Sequence, residues 1–218
     1  MSLWQDAKSI AQRDPAARNP FEVIFLYSGF HALVWYRMAH FFHTHHLLFI
    51  ARLLSQLGRF FTGVEIHPGA KIGRGLFIDH GTGVVIGETA EIGNDYCTIY
   101  HCATLGGTGK DHGKRHPTLG NNVLVSTGAK ILGPFRVGDN ARIGANAVVL
   151  HEVEAGSTVV GVPGHAVQRD HGVTKPSMTL DQISIPDPVS QEMCQLLRRI
   201  YELEQRLAKL EAEKSERA

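Results

Sequence analysis

From Leu119 to Val149 an aliphatic residue falls at every sixth position: Leu119, Val125, Ile131, Val137, Ile143 and Val149. The same spacing links Ile66, Ile72 and Ile78, then resumes out of phase at Ile86 and Ile92. A period of six fits neither a 3.6-residue helix nor the alternation of a strand. A short fixed repeat is the mark of a solenoid. The recurring unit is aliphatic-Gly-x-x-small-x, as in Ile72-Gly73, Ile86-Gly87, Val137-Gly138 and Ile143-Gly144. One aliphatic per unit points into a narrow core, and a small residue permits the corner after it. Three units close a triangular coil, so about fourteen units, imperfect ones included, predict a parallel β-helix of four to five coils.

One segment breaks the rhythm: Thr104-Leu-Gly-Gly-Thr-Gly-Lys-Asp-His-Gly-Lys-Arg-His-Pro117. It is too long for a coil corner and too polar to pack inside. Loops held by a rigid frame carry function disproportionately, so chemistry is expected there. Its glycines do not make a phosphate-binding P-loop, because the G-x-x-x-x-G-K-[ST] spacing is missing and no helix follows.

The rest of the chain sets boundaries. In 218 residues the formal net charge is +1, which gives no support for a nucleic-acid partner. Cys97, Cys102 and Cys194 are odd in number and form no CxxC pair, which points to a reducing, cytoplasmic compartment. The most apolar stretch, Val23 to Tyr36, is 14 residues long and falls short of a bilayer span. No signal peptide opens the chain.

Residues 1–62 are expected to be helical. A helix over 3–12 ends at Arg13-Asp14-Pro15, because the residue before proline is pushed out of the α region. Asn19-Pro20 caps a second helix, from Phe21 to about His46. A third, Leu47 to Phe61, carries Ile50, Leu53, Leu54, Leu57 and Phe61 on one face. His40, His43, His45 and His46 invite a metal reading, but a polar helix end without a nearby carboxylate or cysteine makes a poor site. The coil occupies 63–167, and 168–190 reads as a linker. In 191–214 the residues Met193, Leu196, Ile200, Leu203, Leu207 and Leu210 alternate 3-4-3-4-3. Arg199 with Glu204, and Arg206 with Glu211, sit as g-to-e′ pairs between parallel chains. Such a helix is expected to join subunits in a short bundle, the alternative being an amphipathic helix packed on its own subunit.

The chain resembles a known family in Arg13-Asp14-Pro15-Ala16, Val64-Glu65-Ile66-His67-Pro68-Gly69-Ala70-Lys71-Ile72-Gly73 and Asp79-His80. The likeness continues through Val85-Ile86-Gly87-Glu88-Thr89-Ala90, Thr104-Leu-Gly-Gly-Thr-Gly-Lys110, Arg115-His116-Pro117 and Gly161-Val-Pro-Gly164. These motifs, spread over residues 10 to 167, are similar to those of bacterial and plastid serine acetyltransferases, here with a shortened N-terminal region. The resemblance implies a mainly β fold: a left-handed parallel β-helix with an N-terminal α-helical region and a C-terminal helix. It implies acetyl transfer from acetyl-CoA to L-serine, with no metal.

On that resemblance His80 is the general base, since an imidazole takes a proton near neutrality. Glu65, 15 residues earlier and close to one coil back, would stack near it and orient the ring, where family members often carry aspartate. Arg115 and His116 would hold the serine carboxylate, and Asp79 and Asp14 its ammonium group. Asp14 alone also reads as a turn residue, and Glu88 is a weaker candidate. Gly106 and Gly107 would leave amides beside the thioester, with Gly107 the oxyanion donor. Thr127 and Ala145 would line the pantetheine groove. Arg142 would meet a coenzyme phosphate or lie on a solvated face.

The long loop implies a site shared between subunits of a homotrimer, with a dimer of trimers open. The chain ends Glu216-Arg217-Ala218 instead of in isoleucine, which puts a complex with O-acetylserine sulfhydrylase in doubt. Other readings are an acyltransferase for a sugar or homoserine, a zinc lyase ligated by His80, His101 and His116, and a non-catalytic scaffold.

Overall fold

A computed structural model describes residues 3–110, 112–167 and 188–216. Most of the expected linker, 168–190, and the chain end at Arg217-Ala218 lie outside the described residues. The chain divides into two compact units, residues 1–185 and 186–218.

In the first unit four helices precede the coil: α1 (Leu3–Arg13), α2 (Pro20–Leu26), α3 (Ser28–Thr44) and α4 (Leu48–Thr62). Asn19 caps α2 as its sequence predicts, accepting from the Glu22 amide at 3.0 Å. The single helix expected from Phe21 to His46 is instead broken at Tyr27, whose backbone is extended at φ −93° and ψ 111°. The freed Ile24 carbonyl is taken up by the His31 ring at 2.7 Å, so the break is a built feature.

α4 also corrects its expectation. Its packed side is the small-residue stripe Ala51, Ser55, Gly58 and Thr62, while Ile50, Leu53, Leu57 and Phe61 remain exposed. Small residues permit close approach: a Cβ at Gly58 would lie 2.8 Å from that of Trp35. Ser55 reaches the Ile66 carbonyl at 2.8 Å. Close backbone contact wins over burial of the larger face.

The coil consists of three short-stranded sheets. The first orders β1 (Glu65–Ile66), β4 (Val85–Ile86), β7 (Thr104–Gly106), β10 (Lys130–Leu132) and β13 (Val148–Val149). The second orders β2 (Lys71–Ile72), β5 (Glu91–Ile92), β8 (Thr118–Leu119) and β11 (Arg136–Val137). The third orders β3 (Phe77–Asp79), β6 (Thr98–Tyr100), β9 (Leu124–Val125), β12 (Arg142–Ile143), β14 (Thr158–Val160) and β15 (His165–Val167). Fourteen of these strands pair in parallel, matching the repeat read from the sequence, and β15 turns back antiparallel on β14. The six-residue aliphatics stack inside: Ile66, Ile86, Leu105, Ile131 and Val149 form one column, each at most 4% exposed. At roughly 1.5–3 kcal/mol per buried aliphatic, this stack is the main stabilising term of the coil.

The slip of phase between Ile78 and Ile86 has a structural cause. Asp79 pairs with Tyr100 and Val85 with Thr104, yet five residues separate the first two anchors and three the second. The two extra residues are His80 and Gly81, extruded at the corner between the third and first sheets. His80 adopts a left-handed φ of 58°, a conformation uncommon outside glycine and asparagine.

The second unit is the helix α5 (Pro188–Glu216). Met193, Leu196, Ile200, Leu203 and Leu207 are each more than half exposed along it.

Candidate active site

The corner that carries His80 is a hydrogen-bonded column. The amides of Gly83, Cys102, Gly128 and Asn146 donate to the carbonyls of Gly63, Thr82, His101 and Thr127, at 2.8–3.0 Å. Thr82, His101, Thr127 and Ala145 therefore occupy equivalent places in successive coils. The expected pantetheine residues Thr127 and Ala145 thus share one edge with the His80 insertion.

Within that corner the His80 side chain is 73% exposed. Its ring meets His101 edge to face, with centroids 5.6 Å apart. Its Nε2 lies 4.0 Å from Asp79 Oδ1. Ser28, at the start of α3, donates its hydroxyl to the His80 carbonyl at 3.1 Å. His101 buries its Nδ1 without a partner.

Glu65 does not stack on His80. It pairs in register with Val85, so a coil closes in 20 residues, not 15. Its carboxylate faces two arginines of α4, Arg59 at 3.1 Å and Arg52 at 3.6 Å. Its neighbour Val64 does lie against the corner, since a Cβ on Gly81 would meet Val64 Cγ2 at 2.8 Å. The carboxylate in contact with the His80 ring is Asp79.

Asp14 joins this cluster through Tyr27. The Tyr27 hydroxyl donates to Asp14 Oδ2 at 2.7 Å, while Oδ1 accepts from the Ala16 amide at 2.8 Å. Burial raises the Asp79 carboxyl above the usual range, and the nearby Asp14 adds to this, while His80 and His101 oppose it. Asp14 and Asp79 thus sit near one another beside the His80 ring. Asp14 is fixed there by Arg13, the preceding residue, which is 5% exposed. Arg13 donates to Gly75 O at 2.6 Å, to the carbonyls of Tyr96 and Cys97, and to Thr98 Oγ1. Burial pushes its guanidinium down to about 10.

Arg115 and His116 lie elsewhere in the chain, on the corner between the first and second sheets. Thr89 pins them: its Oγ1 accepts from the amides of Arg115 and His116 at 2.9 and 3.1 Å. The Thr89 amide donates to His116 Nδ1 at 3.2 Å, which leaves the ring proton on Nε2. Arg115 forms an ion pair with Glu88. Burial, then Arg115, hold the His116 imidazolium below its ordinary 6.5 against the opposing pull of Glu88. Gly107 folds onto this pair, since a Cβ there would meet Arg115 O at 3.1 Å and His116 Nε2 at 3.2 Å. Gly106 ends β7 and accepts from the Gly133 amide at 3.1 Å. Arg142 is 4% exposed on β12, so it is neither on a solvated face nor at the open corner.

His80 and His101 share one corner, and His116 sits on another. Among the described residues no group of three or more His, Cys, Asp or Glu side chains could hold a metal. Sequence reasoning did not single out Tyr27, Ser28 or Arg13 as site residues. Their signal was present in part, for Arg13 precedes Asp14 in the quoted motif.

The first unit thus holds two separate groupings, an acid pair beside an exposed imidazole and an Arg-His pair beside a loop glycine. From Gly83 to Thr89 the chain runs six residues, about 20 Å when extended. Residues 116–151 match the family described as bacterial transferase hexapeptide (six repeats). A serine acetyltransferase of Helicobacter pylori is 62% identical over 170 residues, covering 78% of this chain and 99% of the relative. One of Synechococcus elongatus is 52% identical over 217 residues, covering 100% of this chain and 87% of the relative. Among solved structures, serine acetyltransferase of Neisseria gonorrhoeae in complex with serine superposes with a TM-score of 0.73 and 41% identity, over 76% of this chain and 67% of that one. The Brucella abortus enzyme in complex with coenzyme A gives 0.73 and 40%, over 76% and 66%.

Proposed function

The chain belongs to the serine acetyltransferases, and from that premise we propose how its residues divide the reaction. The reaction moves the acetyl group of acetyl-CoA to the hydroxyl of L-serine, giving O-acetyl-L-serine and CoA, the first step of cysteine biosynthesis. The ammonium group of serine lies between Asp14 and Asp79, which sets its hydroxyl beside His80. The imidazole takes the hydroxyl proton as the oxygen attacks the thioester carbonyl. The oxyanion forms against the Gly107 amide, next to Gly106. Collapse expels the CoA sulfur, which recovers the proton from His80. Asp79 stabilises the transient imidazolium. Glu65 does so only by releasing its arginines.

The single observation that carries this reading is the cluster of Asp14, Asp79 and His80 at one corner, contributed by two distant segments. The pantetheine arm runs down the corner past Thr127 and Ala145.

Serine's two charged ends are only a few ångströms apart, whereas the ammonium acids and the Arg115-His116 pair sit on different corners. A neighbouring subunit therefore supplies the carboxylate clamp together with the Gly107 amide packed against it, in a homotrimer with cyclic symmetry. The α5 seam and the exposed face of α4 are surfaces for further contact between copies, the latter suited to a dimer of trimers. Release of free thiol from acetyl-CoA with L-serine, and not with homoserine or sugars, tests the activity. A His80→Ala protein that keeps most of its rate would remove the base assignment.

A further inference from the structure

The break between α2 and α3 is where the sequence predicts an unbroken helix, and three consecutive residues there each touch the site. The Tyr27 hydroxyl donates to Asp14 Oδ2 at 2.7 Å. Ser28 Oγ donates to the His80 carbonyl at 3.1 Å. Gly29 lies so close to β3 that a Cβ would sit 2.0 Å from Ile78 O, one residue before Asp79. Tyr27 precedes α3 but makes no side-chain cap to it, so its hydroxyl is free for another task.

We propose that Tyr27-Ser28-Gly29 is a positioning elbow for the amino-acid substrate, in which Tyr27 fixes the plane of Asp14 for the ammonium group. The proposal rests on the acceptor being an amino acid, as read above. Asp14 carries two constraints, the Ala16 amide on Oδ1 and Tyr27 on Oδ2. The first comes from its own turn and moves with it. The second ties the carboxylate to the same elbow that holds the His80 backbone, so the acid and the base keep a fixed separation. Near-attack geometry depends on such separations at the ångström scale. The hydroxyl also tempers the repulsion between Asp14 and Asp79 while the site is empty. Burial, then the hydrogen bond to Asp14, push the Tyr27 hydroxyl well above its ordinary 10, so it stays a donor at working pH.

Tyr27→Phe keeps the ring and removes only the donor. The expected result is a KM for L-serine raised about tenfold, roughly 1.4 kcal/mol, with kcat, KM for acetyl-CoA and melting temperature near wild type. An acceptor with the hydroxyl but no amine, such as 3-hydroxypropionate, should show no difference between the two proteins. Tyr36 supplies the contrast: its hydroxyl donates to Ala70 O at 2.7 Å away from this corner, so Tyr36→Phe should lower the melting temperature and leave KM alone. A wild-type KM for L-serine in Tyr27→Phe overturns the proposal. So does an equal rise in both KM values, or a rise accompanied by a lower melting temperature. The underlying reading fails separately: a wild-type protein that does not turn over L-serine removes the acceptor assignment and the proposal with it.

Discussion

His116 is a neutral ring by construction. Its Nδ1 is occupied by the Thr89 amide, and burial and Arg115 oppose the charged form. The folded-state pKa is below the unfolded 6.5, so the neutral ring's contribution is complete above that pH and is lost as pH falls below it through the depressed value. Melting temperature measured from about pH 8 to about pH 5 should decline below 6.5, and His116→Gln should make that decline shallower. It should not abolish it, because His67 is depressed by burial in the same direction. Substitution also separates the acid beside the base, Asp79, from the acid expected there, Glu65. Asp79→Asn should lower kcat/KM for serine by about a hundredfold, consistent with loss of an ion-pairing group at the reacting end. Glu65→Gln, which frees Arg52 and Arg59, should cost less than tenfold if Asp79 is the partner of His80; the reverse order of losses would restore Glu65 to that place. The sequence could suggest His80, Asp79 and Asp14 because short motifs carry them. It could not reveal Tyr27, whose partner lies 13 residues away across a bend that no periodicity marks.

At the level of elements, the coil and the extents of α1 and α4 were largely legible; the break at Tyr27 and the packed face of α4 were not. A repeat with one aliphatic per six residues has a single way to bury its core, so Leu119 to Val149 could be placed directly. Even the slip at Ile86 was visible, although only pairing shows it to be a two-residue extrusion that carries the base. α4 was misjudged because its large apolar face suggested burial, while Ala51, Ser55 and Gly58 make the closer contact. The corners themselves offer a test. At Gly93 a Cβ would lie 2.4 Å from Gly120 O, backbone that cannot give way. Gly93→Ala should therefore destabilise the protein by about 1–3 kcal/mol, read as a lower denaturant midpoint at unchanged m-value. Arg13 joins α1 to the coil through carbonyls of Gly75, Tyr96 and Cys97. Arg13→Met leaves the buried Gly75 carbonyl without this donor, at a cost of about 1–3 kcal/mol by denaturation.

For the whole molecule the question is how many copies make one enzyme. Phe49 and Phe60 are each 81% exposed on α4, a surface that monomeric proteins seldom leave bare. Light scattering should give a mass above that of three chains, and Phe49→Asp with Phe60→Asp should lower it to a trimer with activity retained. Removing residues 188–218 should leave the coil folded, since α5 belongs to a separate compact unit.

The turned-back β15 bears on something other than catalysis. A stack of parallel coils is a fibre in miniature, and each open rung offers unpaired amides and carbonyls to the next chain. β15 runs antiparallel on β14, so the rung it presents no longer matches the parallel register of the coil below. At the opposite end α3 and α4 pack against β1. The coil is thus a repeat halted after about five turns, with β15 turned back over the end of one sheet and α3 and α4 packed on the first strand of another.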